Sequence, residues 1–295
     1  MPVISHKSLV EPKNNSILWR YMDLARFSAL ISGRQLWFSN VELLAEEDPQ
    51  EGVLPPLNFT HRNWEITGVP THEMEVIHNK NYFHQDGSKI TDKKIIVEKE
   101  IEHRELVIKY ALTMRRSYFV NCWHNAKHES AGMWKAYGPG PGIAITTTPE
   151  KIKLSLRNNR ENINIGCVNY IDINTQAIAI DNMLNIIVTK RNNYDYEKEV
   201  RLVYWNTSFK DTLQKAWNSN TDRLEIPNEE QFVDFQRSSY ISGRNFSCVL
   251  NTLIDCIWIS PKSPTWYIET INRLCHKFNV RAEVRPSIIF NAIMR

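Results

Sequence analysis

The order of strand-like and helix-like segments is the feature that most constrains the fold of this chain. Apolar runs and alternations predict strands at residues 18–21, 35–39, 118–123, 143–147, 167–171, 198–205, 253–259 and 280–284. Helical spacing predicts helices at about 24–33, 95–116, 130–137, 176–190 and 264–278, with another after Thr148. Because strands and helices mix without the regular rhythm of doubly wound proteins, we expect an α+β fold. Its core would be a mixed, mostly antiparallel sheet flanked by helices.

Capping residues mark the ends of several predicted helices. Asp23 is expected to N-cap the first helix, and Gly33 to end it in a left-handed conformation. Thr148 is an N-cap signal, and Ser263 followed by Pro264 is another near the end of the chain. The chain is therefore predicted to open with a strand, a helix and a second strand.

The length of 295 residues fits one large domain or two small ones, at about 150 residues per domain. No stretch has the composition of a flexible linker, so we expect a single domain over residues 1–295. Two segments, at about 41–91 and 206–239, are expected to be irregular or inserted. The first includes the acidic residues Glu46, Glu47, Asp48 and Glu51.

Composition excludes several classes of protein. The 9 Trp, 11 Tyr and 11 Phe can bury a sizeable core, which disfavours intrinsic disorder. A net charge of +3 without a concentrated basic patch does not indicate nucleic-acid binding. No run approaches the roughly 18 apolar residues needed to span a bilayer, and the N-terminus lacks the apolar region of a secretory signal. Five cysteines without a CxxC pair argue against a disulfide framework or structural zinc, so we expect a cytoplasmic protein with reduced thiols.

The segment Tyr194–Trp205, YDYEKEVRLVYW, has the sharpest alternation in the chain. If it is one strand, then Glu197, Glu199 and Arg201 share a face, while alternate apolar residues face the core. Two close carboxylates raise each other's proton affinity unless a cation lies between them, and Arg201 is a candidate for that cation. Periodicity alone also fits a solvated strand face with a cross-strand ion pair, so both interpretations stay open here.

The segment Cys122–Gly138, CWHNAKHESAGMWKAYG, combines a strand, a turn and a helix. Its ring-bearing and charged residues are Trp123, His124, His128, Glu129, Trp134, Lys135 and Tyr137. Aromatic rings beside a polar turn at a helix N-terminus suit a ligand with a flat ring and an anionic group. A metal site on His124, His128 and Glu129 is disfavoured, because the two histidines do not share a helix. Core aromatic residues with a helix cap are the plainer alternative.

Arg20 and Tyr21 on the opening strand are a weaker signal, which a surface arginine packing its stem on a neighbour also explains. The chain has no GxGxxG, Walker A, GxSxG or HExxH motif. This argues against a standard dinucleotide fold, a P-loop ATPase, an α/β-hydrolase and a zincin.

The ordered set of motifs resembles an uncharacterised bacterial family, a domain of unknown function. The matching positions are Trp19-Arg20-Tyr21, Leu36–Ser39, Asp48-Pro49, Glu51, Cys122–Tyr137, Gly142–Thr148, Tyr196–Arg201 and Ile259–Pro261. The match covers most of the chain, and the central ESxxMWxxYG block is its most specific part. One departure is Glu47-Asp48-Pro49, where the family usually has Asn-Asp-Pro.

The layout is also similar, more distantly, to that of ADP-ribosyltransferases. These enzymes open with a strand that carries Arg or His, and a late strand carries a catalytic Glu. Arg20, the segment Gly33–Trp37, the strand Ile143–Thr147 and Glu199 fall in that order. The resemblance implies a split sheet, NAD as substrate, and transfer of ADP-ribose to an unidentified protein or nucleic-acid acceptor.

On this resemblance, the catalytic residues would be Glu199, Glu197 and Arg20. Glu199 would stabilise positive charge on the ribose, Glu197 would act as a general base, and Arg20 would clamp the pyrophosphate. The NAD-binding set would be Arg20, Tyr21, Trp123, His124, Trp134, Tyr137 and Arg201, with no metal ion. A toxin or phage-defence effector, with a protein partner such as an antitoxin, is a setting that fits an NAD-consuming enzyme.

Two other functions stay open from the sequence. A metal-dependent nuclease would gather Glu197, Glu199 and Asp172, with a histidine, around the metal. A non-catalytic module would instead bind a partner protein through the aromatic cluster, with the acidic loop Glu46–Glu51 as a contact.

Overall fold

The computed structural model describes residues 3–59, 86–92, 94–95, 115–138, 140–179, 182–206, 217–218, 223–224 and 241–289. The helix predicted at about 95–116 lies almost wholly outside the described residues. The same holds for residues 60–85 of the first irregular segment and for most of the second, 206–239.

Short strands build a large sheet. In the described residues the strands are β1 Val3–Ile4, β2 Leu18–Met22, β3 Gln35–Asn40, β4 Tyr118–Asn125, β5 Ile143–Thr147, β6 Ile163–Cys167, β7 Asn169–Ile171, β8 Thr189–Arg191, β9 Glu199–Trp205, β10 Trp217–Asn218, β11 Arg223–Leu224, β12 Gly243–Ser247, β13 Cys256–Ile259 and β14 Glu283–Pro286. Ten of them form one sheet in the order β1-β6-β9-β4-β2-β5-β13-β14, with β3 pairing β4 and β12 pairing β3. Its pairs are antiparallel except β1–β6 and β13–β14, which confirms the predicted α+β fold with a mixed, mostly antiparallel sheet.

Helices pack on both faces of this sheet. In the described residues they are α1 Leu24–Gly33, α2 Val41–Leu44, α3 Ala131–Tyr137, α4 Pro149–Ser155, α5 Met183–Ile187, α6 Leu250–Leu253 and α7 Thr265–Lys277, with 3-10 turns at Pro56–Phe59, Arg115–Ser117 and Asn192–Glu197. Phe27 of α1, Ile152 of α4 and Ile271 of α7 are fully buried in one apolar cluster with the sheet. Each such side chain stabilises the fold by about 1.5–3 kcal/mol.

Strand β4 pairs with two different strands along one of its edges. Near its end, His124 pairs with Trp19 of β2, whereas near its start Val120 pairs with Ser39 of β3. Residues 121–123 between these points pair with β9 on the other edge, and with neither β2 nor β3 in the described residues. Strands β2 and β3 therefore diverge along β4, and the gap between them is called the fork below.

The capping signals place most helix starts correctly. The Asp23 side chain accepts a hydrogen bond from the Arg26 amide, and Thr148 accepts one from the Lys151 amide. At the end of α1 the prediction was wrong by one residue, because Gly33 is still helical and Arg34 takes the left-handed conformation (φ 52°). The Arg34 guanidinium donates to the carbonyl of Phe278, a tertiary contact that holds this residue in place.

Other boundaries also differ from the predictions. Helix α7 begins after Pro264 and not after Ser263, the last strand is Glu283–Pro286, and the predicted strand 167–171 is divided between β6 and β7. The helix predicted at 176–190 is wrong for most of its length. The Asn182 side chain accepts from the Leu184 amide and starts the short α5, after which a β-branched run from Ile186 favours the extended β8.

In the part of the chain that the structure describes, no helix is long and apolar enough to cross a membrane. All five cysteines carry free thiols, in line with the prediction of reduced cysteines.

Candidate functional site

The fork contains a cavity of about 580 Å³. Strands β2, β3, β4 and β9 and helix α1 contribute to its walls. Strand β8 adds Lys190, a loop adds Glu51, and the 3-10 turn before β9 adds Glu197. Eight of the nine site residues predicted from the sequence line this cavity, namely Arg20, Tyr21, Trp123, His124, Tyr137, Glu197, Glu199 and Arg201. The exception, Trp134, is not part of the cavity wall.

Strand register fixes which side chains face each other. His124 of β4 lies opposite Glu199 of β9, and Cys122 lies opposite Arg201. Opposite residues of an antiparallel pair point to the same face of the sheet, so these four side chains share one face. The prediction that Glu199 and Arg201 lie on the same strand face is therefore confirmed.

Arg201 is the centre of a buried ion-pair network. Its Nε and Nη2 atoms donate to the two carboxylate oxygens of Glu199 at 3.0 and 2.9 Å. Its Nη1 atom donates to the carboxylate of Glu51 and, at 2.5 Å, to the carbonyl of Ile187. The guanidinium is completely buried, so it depends on these partners for the compensation of its charge.

Glu197 is held by different partners from those predicted. The Tyr137 hydroxyl donates to Oε1 and the Lys190 ammonium to Oε2, both at 2.6 Å. Glu197 ends a 3-10 turn, and Lys198 after it is left-handed (φ 41°). The strand predicted at 198–205 therefore begins at Glu199, and the condition that 194–205 is one strand is not met. Arg201 accordingly bridges Glu199 and Glu51, and it does not lie between Glu199 and Glu197.

Opposite charges in this network are unequal in number. Lys190 lies 3.8 Å from Glu199 and 3.9 Å from Glu51, as well as bonding Glu197. Three carboxylates thus share two cations, Lys190 and Arg201, and the ionised network has a formal charge of −1. Burial by itself raises the pKa of Glu199, but the nearby Arg201 and Lys190 outweigh it, so the pKa of Glu199 lies below its ordinary value.

Neighbouring rings fix the position of the two glutamate segments. His124 lies 2.5 Å from the carbonyl of Glu197 through Nδ1, which must carry the proton because a carbonyl only accepts. Burial lowers the pKa of His124, so its ring is neutral at neutral pH. The Tyr170 hydroxyl accepts from the backbone amide of Glu199 at 2.8 Å.

Arg20 reaches the cavity from the other face of the sheet. Alternation along β2 places it opposite to Trp19 and Tyr21, and its guanidinium lies 5.8 Å from the centre of the Trp123 ring. Its Nη1 atom is buried and has no hydrogen-bond partner among the described residues. Burial lowers the pKa of Arg20 to about 10, so the side chain remains a cation at neutral pH.

Aromatic side chains of β2 and α3 form two layers on one side of the cavity. Tyr21 faces the cavity, and its hydroxyl accepts from the Ser130 amide at 2.9 Å, at the N-terminus of α3. Trp134 packs edge-on against the Tyr21 ring, with centroids 4.9 Å apart, and its Nε1 donates to Glu129. Trp134 therefore supports Tyr21 from behind, and Tyr137 is the residue of α3 that reaches the cavity.

Sequence reasoning missed two residues that complete the network. Glu51 was identified only as part of an acidic loop, and Lys190 was assigned to the end of a helix that does not form. Glu51 pairs with Arg201, 150 residues away, and Lys190 pairs with Glu197 across a turn, so no periodicity links either pair. The Asp-Pro-x-Glu pattern at residues 48–51 was the one sequence signal for Glu51. Both acidic residues of this pattern pair with arginines, Asp48 with Arg191 at 2.6 Å and Glu51 with Arg201.

Asp172, which the nuclease alternative names, lies apart from this site. It is half-buried, accepts hydrogen bonds from its own turn, and does not line the cavity. In the ranges that the structure describes, no three His, Cys, Asp or Glu side chains are grouped to hold a metal ion. In the acidic loop, Asp48 and Glu51 are buried and paired, whereas Glu46 and Glu47 are exposed.

No protein-family model matches this chain, and no curated protein or solved structure matches it significantly. The resemblances to the bacterial family and to ADP-ribosyltransferases therefore stay predictions.

Proposed function

We propose that this chain is an NAD-consuming enzyme that transfers ADP-ribose to a protein or nucleic-acid acceptor, or to water. The observation that carries the proposal is the placement of Arg20, Glu197 and Glu199 around one cavity. Arg20, whose buried Nη1 atom has no partner among the described residues, thus lines the same cavity as a carboxylate network of formal charge −1.

Charges of both signs favour a ligand that itself carries both. NAD has an anionic pyrophosphate and a cationic pyridinium ring, which complement the charges of Arg20 and of the two glutamates. A guanidinium binds phosphate oxygens through paired donors, which fits the role predicted for Arg20. A volume of about 580 Å³ falls within the usual range for small-molecule and cofactor sites.

The reaction breaks the bond between the nicotinamide nitrogen and the ribose C1′ atom. The bonding electron pair leaves with nicotinamide, which becomes neutral, and the ribose passes through a cationic, oxocarbenium-like state. A carboxylate preorganised beside that carbon stabilises the developing charge. Glu199 is suited to this role because Arg201 and the Tyr170 hydroxyl fix its carboxylate and its backbone amide.

Glu197 is suited to accept the proton of the incoming nucleophile. Each of its oxygens holds one donor, from Tyr137 and from Lys190, and each retains a second lone pair. Burial and the hydrogen bond to Glu197 raise the pKa of Tyr137, so its hydroxyl stays protonated as a donor. The new bond forms between the acceptor oxygen or nitrogen and C1′, and the acceptor proton passes to Glu197.

Nicotinamide release tests this proposal. Purified protein is incubated with labelled NAD together with protein, RNA or DNA, and free nicotinamide and transferred label are measured. We expect release by the wild type and a loss of about a hundredfold or more in Glu199→Gln and in Glu197→Gln. Glu46→Gln removes the same charge from an exposed position outside the cavity wall, and it should retain full activity. Wild-type rates in a folded Glu199→Gln protein, or no release with any acceptor, would overturn the proposal.

A further inference from the structure

Lys190 occupies the most acidic part of the cavity wall. Its ammonium nitrogen lies 2.6 Å from Glu197, 3.8 Å from Glu199 and 3.9 Å from Glu51. The same nitrogen lies 4.5 Å from the centre of the Tyr194 ring. Carboxylates together with an aromatic face are the surroundings in which proteins bind organic cations. These four residues, Glu51, Glu197, Glu199 and Tyr194, are called the acidic box below.

Two further observations indicate that the box receives a ligand. All four of its residues line the same cavity as Arg20, whose buried Nη1 atom has no partner among the described residues. The box also keeps an excess negative charge when Lys190 is present, because Arg201 is the second cation for three carboxylates. A cation brought by a ligand would therefore be attracted to a place that Lys190 now fills.

We propose that Lys190 is an internal counter-ion, and that a positively charged group of the substrate displaces it from the acidic box. This deepens the proposed function, on which it rests for the sources of the cation: the pyridinium ring of NAD or a cationic side chain of the acceptor. A lysine can make this movement because its ammonium is carried on a flexible four-carbon stem. The Lys190 side chain is already 10% exposed, so the displaced ammonium has a route to water.

The displacement would change the partners of Glu197 when a ligand binds. In the ligand-free protein, Lys190 compensates Glu197 and keeps a buried carboxylate hydrogen-bonded. When the substrate cation replaces it, Glu197 loses one hydrogen-bond donor, and the freed carboxylate oxygen can accept a proton from the reacting group. Lys190 is a positioning residue in this account, since it acts through Glu197.

Binding of small cations to charge variants tests the displacement. Three probes are titrated by calorimetry at pH 8. They are 1-methylnicotinamide, which is a pyridinium cation, butylammonium, which is an alkyl cation, and nicotinamide, which is a neutral ring. Lys190→Gln keeps a donor for Glu197 but removes the competing charge, so we expect at least one cationic probe to bind about tenfold more tightly. Affinity for nicotinamide should change little. A larger gain in affinity for the pyridinium probe would identify NAD as the source of the cation. A larger gain for butylammonium would identify the acceptor.

Matched variants separate this effect from general electrostatics. Lys135→Gln removes the same charge from an exposed position of α3 outside the cavity wall, and it should leave all three affinities unchanged. Lys190→Arg keeps the charge and should not increase affinity for either cation. Weaker or unchanged binding of both cations by Lys190→Gln would overturn the proposal.

Amine labelling of the wild type gives an answer that does not depend on the folding of a variant. Acetylation of Lys190, read by mass spectrometry, should be slow in the free protein and several-fold faster with a saturating cationic probe. An unchanged rate would show that Lys190 stays in place and would overturn the displacement, even if NAD is cleaved. Conversely, displacement of Lys190 without nicotinamide release would retain the cation site and overturn the transferase.

Discussion

Arg201 donates two parallel hydrogen bonds to the Glu199 carboxylate, from Nε at 3.0 Å and from Nη2 at 2.9 Å. Because its remaining nitrogen bonds Glu51, the same guanidinium ties the loop around residue 51 to strand β9. Because one buried guanidinium compensates two carboxylates, its removal should lower the free energy of unfolding more than neutralising one carboxylate does. This unequal dependence leads to the first prediction.

Arg201→Met should destabilise the protein more than Glu199→Gln. The methionine leaves Glu51 and Glu199 buried with only Lys190 as a shared cation, and breaking a buried pair in this way costs about 3–5 kcal/mol. The glutamine keeps an acceptor for Arg201, whose charge Glu51 still compensates, so we expect a loss of about 1–3 kcal/mol. Urea denaturation of both variants measures the difference. Equal losses, or the reverse order, would contradict the network described above.

Acid should weaken the fold through Glu199. A glutamate in the unfolded chain titrates near pH 4.3, whereas the pKa of Glu199 in the folded protein is lower. Between the two values the unfolded chain binds more protons, so the free energy of unfolding falls as the pH drops from about 4.3 through the folded-state pKa. The stabilisation is fully present above that window.

Comparison with Glu199→Gln isolates this contribution. The difference in free energy of unfolding between wild type and variant should be constant from pH 6 to 7 and shrink below about pH 4.3. Glu46→Gln, an exposed control, should follow the wild type throughout. A wild-type–variant difference that stays constant down to pH 3 would contradict the assignment.

Arg20→Met should separate stability from ligand binding. The Nη1 atom of Arg20 is buried without a partner among the described residues, so its removal should not lower the free energy of unfolding and can raise it by about 1–2 kcal/mol. Affinity for NAD should nevertheless fall about tenfold or more, because a hydrogen bond to a charged group is lost. Thermal unfolding and calorimetric titration measure the two effects. Arg157→Met, an exposed control outside the cavity wall, should leave NAD affinity unchanged. A strong destabilisation by Arg20→Met would show that Arg20 is structural.

Gly52→Ala should disturb the loop that presents Glu51. Gly52 has φ +66°, and an added Cβ would lie 2.9 Å from both the Val41 and the Arg115 side chains. Gly87→Ala is a matched control, because that glycine also has positive φ (+83°) but meets nothing within 4 Å. We expect Gly52→Ala to lose about 1–3 kcal/mol more than Gly87→Ala, measured by urea denaturation. Equal losses would mean that the loop tolerates the added atom.

The fold could be predicted wherever a local pattern decides the structure. Apolar alternation gave β2, β4, β5 and β9, and the side chains of Asp23 and Thr148 mark helix starts because they satisfy free backbone amides. The left-handed Arg34 and Lys198 could not be predicted, since neither is a residue type that favours positive φ. Tertiary contacts hold them, and a sequence does not display such contacts.

The site was predicted in part for the same reason. Glu199 and Arg201 share a strand face, which period-two alternation reveals. Lys190 approaches them from the short strand β8 and Glu51 from a loop, and contacts between separate segments follow no period. The fork between β2 and β3 exists because β4 pairs with β3 near its start and with β2 near its end. Strand register decides this pairing, and the alternation of one strand does not show which strand it pairs with.

A crystal structure of Glu199→Gln with NAD tests the central claim most directly, because slow turnover should keep the dinucleotide intact. We expect the pyrophosphate within about 2.7–2.9 Å of the Arg20 guanidinium, with the nicotinamide ribose beside Glu197 and residue 199. NAD bound outside the fork, or no binding at a saturating concentration, would contradict the account.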